Sequence, residues 1–158
     1  MRAVVVGAVG GTQVAVEAIG RAQGWELAAL VTLPPELAIR HSDFVDVGAA
    51  ARTIGAEVIH AANGNDPAVV DRIRNVAPDL LFVIGWSQIC RAPMLEAARL
   101  GTIGYHPAPL PRLRGRAVIP WTILLDEPIT AGTLFWVDEG TDTGPVLAQR
   151  FFHVAPDE

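Results

Sequence analysis

Residues 2–33 read RAVVVGAVGGTQVAVEAIGRAQGWELAALVTL, and this stretch decides the fold class. RAVVVG, from Arg2 to Gly7, is a short β-branched run that stops at glycine, the pattern of a strand buried on both faces. From Gly11 to Ala22 the period changes, with Val14, Ala15, Ala18 and Ile19 recurring at helical spacing. WELAALVTL, from Trp25 to Leu33, is again a continuous apolar run, closed by Pro34 and Pro35. A strand, a helix and a second strand in this span form a βαβ unit, and such a crossover joins parallel strands.

The alternation continues outward. After an irregular stretch, a short helix is predicted near Val47 to Ile54 and a strand over Glu57 to His60. Asp66 and Pro67 start the next helix as N-cap and first helical residue, and it runs to about Val76. Leu80 to Ile84 reads as a strand, Pro93 to Leu100 as a helix, Thr102 to His106 as a strand and Ala117 to Leu125 as a helix. Thr133 to Val137 and Val146 to Val154 read as late strands. The expected class is α/β: a Rossmann-like, mostly parallel sheet with helices on both faces, in one domain spanning residues 1–158. The closing residues, VAPDE, put a proline and two acids after a strand, which is how a helix opens. The domain is therefore expected to continue past Glu158, the alternative being a frayed tail.

Composition removes several function classes. A chain of 158 residues that is 51% hydrophobic and 18% charged can bury a sizeable core, yet no run approaches the roughly 18 apolar residues of a membrane span. The N-terminus turns to glycine and threonine too early for a signal peptide. A net charge of −5 gives no basic field for general nucleic-acid binding. All twelve basic residues are arginine, which excludes Schiff-base lysine chemistry and a Walker-type phosphate loop. The single cysteine allows no internal disulfide and no thiolate zinc site, and fits a reducing cytoplasm. Gly7, Gly10 and Gly11 do not make the dinucleotide pattern G-x-G-x-x-G, and Val31-Thr32-Leu33 offers no acid for a ribose. The glycines are read instead as a tight turn that needs small residues. His41, His60, His106 and His153 lack metal-ligand spacing, so no metal is expected.

Two polar concentrations remain. His106 closes a strand and is followed by the proline-stiffened loop PAPLPRLRGR. Carboxyl ends of parallel strands are where ligands bind in open α/β sheets. His41, His60 and His153 read as surface or helix-capping residues. The second concentration is VDEGTDTGP, Val137 to Pro145, in which Asp138 and Glu139 read as turn acids. Asp142, between Thr141 and Thr143, is placed where local hydrogen bonds can hold a carboxylate.

The blocks GTIGYHPAPLPRLRGRAVIPWTIL and TAGTLFWVDEGTDTGPVLAQ, with LLFVIGWSQIC before them, resemble the folate-dependent formyltransferases. That family writes them as N-x-H-P-S-x-L-P-x-x-R-G and D-x-G-x-D-T-G-P-I-L. The resemblance implies transfer of a formyl group from 10-formyltetrahydrofolate to a primary amine through a tetrahedral intermediate, with no metal. It implies that His106 and Asp142 are catalytic. The family's asparagine falls on Gly104, the main departure. A missing oxyanion donor of this kind typically lowers turnover on the order of 100- to 1000-fold. A backbone N–H, a water in the space left by Gly104, or the substrate could stand in for the amide, or the space could admit a bulkier acceptor. Tyr105 faces away from His106 by strand alternation.

Gln88, Ile89 and Cys90 are implied to meet the pteridine through backbone groups, and Asp138, Glu139, Gly140 and Thr141 to close its other side. Trp86 is left between core and pocket. Arg112, Arg114 and Arg116 form a basic cluster that could meet a phosphate on a nucleotide or tRNA acceptor, Arg114 also matching the family's R-G as a loop anchor. The acceptor is a small-molecule or tRNA-borne amine. A formyltetrahydrofolate hydrolase and a catalytically weakened folate-binding module are the alternatives.

Overall fold

The computed structural model describes residues 1–41 and 43–155. The chain divides into two compact units, 1–102 and 103–158. In the first unit β1 (Arg2–Val6), α1 (Gly10–Arg21) and β2 (Glu26–Thr32) are the βαβ unit read from the sequence. A 3₁₀ turn (Pro35–Arg40), α2 (Gly48–Thr53), β3 (Glu57–His60), α3 (Pro67–Asn75), β4 (Leu80–Val83) and α4 (Ala92–Leu95) follow. The strands lie in the order β3-β2-β1-β4, and all three pairings are parallel.

Alternation along β1 divides the core of this unit. Val4 and Val6 point to one face, where they join Ile59, the α3 residues Val69, Val70 and Ile73, and Met94 of α4. Ala3 and Val5 point to the other, with Val16 of α1, Leu30, Val47 and Ala51 of α2. Helices therefore cover both faces of the sheet, and each fully buried large aliphatic side chain contributes about 1.5–3 kcal/mol. Asp66 caps α3 through its carboxylate, which accepts from the Ala68 N–H at 2.9 Å.

The turn after β1 is as tight as its glycines suggest. A Cβ on Gly7 would collide with the Ile84 carbonyl and the Thr12 hydroxyl. Thr12, fully buried, donates to the Ile84 carbonyl at 2.6 Å and accepts from the Val9 N–H at 3.1 Å. One helix is shorter than expected: α4 ends at Leu95, where the sequence predicted a run to Leu100. The backbone leaves the helix because Arg99 N–H donates to the Pro78 carbonyl and Leu100 N–H to that of Asp79.

The second unit holds β5 (Thr102–His106), α5 (Val118–Leu124), β6 (Ile129–Trp136) and β7 (Val146–His153), with β5 starting at the boundary. β6 runs antiparallel to both β5 and β7. The parallel, helix-covered sheet of the sequence reading is thus the architecture of the first unit, and this unit supplies the antiparallel share. β6 begins four residues before the predicted Thr133, since Ile129 to Gly132 pair with His153 to Arg150. Pro156, Asp157 and Glu158, on which the expected helix start rests, lie outside the described residues.

Candidate active site

The site in the second unit is built from the end of β5. Gly104 pairs with Phe135 and His106 with Thr133, so these four residues share one face, and Tyr105 projects from the other. His106 is 6% exposed, whereas Tyr105 is 39% exposed. The loop after His106 returns to it through residues in the left-handed region, Leu113 at φ 55°, Gly115 at φ 95° and Ala117 at φ 56°. For leucine and alanine that conformation is strained, and it persists only where the surroundings fix it.

The returning loop does two things. It brings the Leu113 carbonyl to 2.7 Å from His106 Nε2. A carbonyl only accepts, so Nε2 carries a hydrogen and Nδ1 is the nitrogen left to exchange a proton. Nδ1 faces Asp142 Oδ2 at 3.6 Å. The loop also clamps Asp142, whose Oδ2 accepts from the Gly115 N–H at 2.8 Å and whose carbonyl accepts from Arg114 Nε at 3.0 Å. Asp142 itself sits at φ 52°, a conformation aspartate tolerates better than most side chains.

Thr133 and Gln149 fix the start of the same loop. The fully buried Thr133 hydroxyl donates to the Ala108 carbonyl at 2.6 Å. Gln149 Nε2 donates to Thr133 Oγ1 at 2.8 Å and to the Leu110 carbonyl at 3.1 Å. The sequence reading missed both residues. Their signal is the β5–β6–β7 register, which places them in line with His106 and which no local motif discloses.

The remaining residues singled out from the sequence fall as follows. Asp138 Oδ1 accepts from the Gly140 N–H at 3.0 Å and from the Thr143 hydroxyl at 2.7 Å, so it folds its own turn. Glu139 and Thr141 are exposed in that turn. Arg112 is ion-paired with Glu127, which commits a guanidinium that the sequence left open for a phosphate. Arg114 anchors Asp142, and Arg116 is exposed. At Gly104 the position a Cβ would take is crowded by the Phe135 and Val137 side chains.

In the first unit, Gln88 and Asn65 stitch two loops together. Gln88 Oε1 accepts from the Gly64 N–H at 3.0 Å and its Nε2 donates to the Ala62 carbonyl at 2.9 Å. Asn65 Nδ2 donates to the Ile89 carbonyl at 2.8 Å, and its Oδ1 accepts from the Arg91 N–H at 2.7 Å. The Ile89 carbonyl thus already has a partner, while its side chain is 79% exposed. Cys90 and Trp86 pack against the core, and burial pushes the Cys90 thiol up to about 11. Among the described residues no group of three or more His, Cys, Asp and Glu could hold a metal ion, and no helix is long and apolar enough to cross a membrane.

Comparison with known proteins adds to this geometry. Residues 3–158 match the family model described as formyl transferase. The chain is 36% identical over 137 residues to a methionyl-tRNA formyltransferase of Syntrophus aciditrophicus, covering 85% of this chain and 44% of that protein. It is 35% identical over 138 residues to the methionyl-tRNA formyltransferase of Geobacter sulfurreducens, covering 86% and 44%. The chain therefore spans less than half the length of these curated relatives. In fold it is similar to the phosphoribosylglycinamide formyltransferase from Bacillus halodurans, with a TM-score of 0.83 at 24% identity, covering 100% of this chain and 82% of that one. It is also similar to WlaRD, a sugar 3N-formyl transferase solved in the presence of dTDP and 5-N-formyl-THF, with a TM-score of 0.68 at 15% identity, covering 98% and 52%.

Proposed function

The chain belongs to the formyl transferase family, and from that membership we propose that it moves a formyl group from 10-formyltetrahydrofolate to a primary amine. The observation that carries this reading is the buried His106 with Nδ1 3.6 Å from an Asp142 carboxylate that is itself fixed by the Gly115 N–H. In the reaction the amine nitrogen attacks the formyl carbon and a new C–N bond forms. The bond from that carbon to N10 breaks, and one amine proton ends on N10 of the departing tetrahydrofolate. Negative charge grows on the formyl oxygen in between. Protonated at Nδ1, His106 is the donor on this face of β5 for that oxygen, with Nε2–H held by Leu113. Asp142 balances the imidazolium and accepts the amine proton before it passes to N10. Preorganisation matters here because the donor must meet charge that exists only in the transition state.

Folate contacts are proposed for each unit separately. In the first they are the backbone groups of Gln88, Ile89 and Cys90, with the Gln88 side chain holding the 62–64 loop. In the second they are the turn Asp138 to Thr141. The acceptor is proposed as a primary amine on a small molecule or a tRNA, as the names of the similar proteins suggest. Arg114 and Arg112 serve the loop, which leaves Arg116 as the basic residue of the cluster for an acceptor phosphate. The proposed setting is the cytoplasm.

A panel of amines, from methionyl-tRNA to amino sugars and glycinamide ribonucleotide, assayed with 10-formyltetrahydrofolate on the full-length protein tests the proposal. One acceptor should be formylated in step with tetrahydrofolate release. Formate release without a formylated amine would make the protein a hydrolase. Folate binding with no turnover would make it a binding module.

A further inference from the structure

By the resemblance of its sequence Gly104 stands where the family carries an asparagine, and other side chains crowd the position its Cβ would take. A Cβ placed on Gly104 would lie 2.8 Å from both Cε1 and Cζ of Phe135 and 2.9 Å from Cγ2 of Val137. Carbon atoms pack best at about 3.5–4.0 Å, so even an alanine requires the ring to move. The ring has little freedom to do so. Phe135 is 4% exposed and is held opposite Gly104 by the β5–β6 register. Its strand neighbour on the same face, Thr133, is 0% exposed and locked by its bonds to Ala108 and Gln149. Interiors packed in this way transmit a displacement to their neighbours and do not absorb it.

We propose that Phe135 has taken over the volume of the missing amide and that Gly104 and Phe135 are a coupled pair, making this a single-donor centre: among the described residues of the second unit, His106 supplies the one side-chain donor to the formyl oxygen. The proposal rests on the functional reading above. One consequence follows from the packing. Installing asparagine alone cannot restore the family's arrangement, because its Cβ would lie 2.8 Å from the present Phe135 ring, and the ring would be driven along the face it shares with His106. Phe135 is thus a positioning residue that sets how many donors the centre has.

The test is a double-mutant cycle in the full-length protein: wild type, Gly104→Asn, Phe135→Ala, and the pair together. Melting temperature is measured for all four, and kcat and KM for 10-formyltetrahydrofolate with the acceptor found in the amine panel. Gly104→Asn alone should lower the melting temperature and reduce kcat at least tenfold. The pair should melt higher than the sum of the two single shifts allows. It should also regain kcat at least tenfold over Gly104→Asn, with KM for the folate unchanged within twofold. Recovery confined to melting temperature would show that Phe135 is packing only and would overturn the single-donor assignment. Additive melting shifts, or a Gly104→Asn protein that melts like wild type, would overturn the coupling. Should Gly104→Asn fail to fold, Gly104→Ala with Phe135→Leu closes the same cycle on smaller changes. The melting arm needs no acceptor, so a protein that formylates nothing would refute the functional reading and still leave the coupling decided by its own measurement.

Discussion

At the scale of single residues, Asp142 is where charge and backbone geometry meet. Its Oδ2 accepts from Gly115 N–H and faces His106 Nδ1, while its carbonyl holds Arg114. Asp142→Asn keeps an oxygen for the Gly115 N–H and removes the charge that, in the proposed reaction, balances a protonated His106. Turnover should fall on the order of 100-fold or more, the range for a lost acid–base partner, with folate affinity within a few-fold of wild type. Steady-state kinetics and calorimetry with a folate ligand check this, and an unchanged kcat would remove Asp142 from the chemistry. His106→Ala should abolish measurable transfer while leaving folate binding largely intact, and near-full transfer in that variant would refute the role assigned to the imidazole. His106 and Asp142 were legible in the sequence because one closes a strand and the other sits in a polar block after one. Their immediate partners were not. The Leu113 carbonyl and the Gly115 N–H are backbone groups, which carry no side-chain signature, and the pairing of Arg112 with Glu127 depends on how the loop returns.

At the scale of elements, the turn from β1 into α1 carries a prediction about stability. Thr12→Val removes the hydroxyl that satisfies the buried Ile84 carbonyl, a loss of about 1–3 kcal/mol. For a chain of this size that is a fall in melting temperature of about 2–12 °C, and a variant that melts like wild type would show the bond to be dispensable. Gly7→Ala should destabilise as well, because its methyl would enter the space of the same two groups. The connection from α3 to β4 carries a pH dependence. Asp79 accepts from the Arg2 N–H and from the Arg99 guanidinium, which hold its carboxyl below its ordinary value of 3.8, the Arg2 bond contributing most. A depressed pKa stabilises the fold above the unfolded-state value, and that stabilisation is lost as pH falls through the folded-state value. The melting difference between wild type and Asp79→Asn should therefore be present at neutral pH and fade as pH falls from the ordinary value of 3.8 through the lower folded-state value. The helix starting at Pro67 was readable because its cap is local in sequence. α4 was not, since the bonds that end it run back to Pro78 and Asp79, and helical spacing alone cannot register a competitor from another segment.

At the scale of the whole molecule, the glycine pattern and the formyltransferase blocks point the same way, the first against a dinucleotide and the second toward a folate. The first unit has the parallel βαβ architecture on which nicotinamide cofactors also bind, so the fold alone does not choose between them. The sequence at the turn and the strand end does: Gly7, Gly10 and Gly11 lack the G-x-G-x-x-G spacing, and Val31-Thr32-Leu33 at the end of β2 carries no acid for a ribose. A ligand that binds only the folded chain raises its stability by about 2.7 kcal/mol at 100 times its dissociation constant. At about 2–4 °C per kcal/mol, that is a rise of about 5–11 °C in melting temperature. 5-Formyltetrahydrofolate should produce such a rise and NADH should produce none. Hydrogen exchange on the same samples assigns the effect to residues, with slowed exchange expected over 88–90 in the first unit and 138–142 in the second. Cys90 gives a control on the first of these segments: its thiol, raised to about 11 by burial, should resist alkylation at neutral pH with or without ligand. A shift with NADH and none with the folate would mean that the similarity of the chain to formyl transferases does not extend to the ligand it binds. Protection confined to one unit would remove the other unit's residues from the proposed folate contacts.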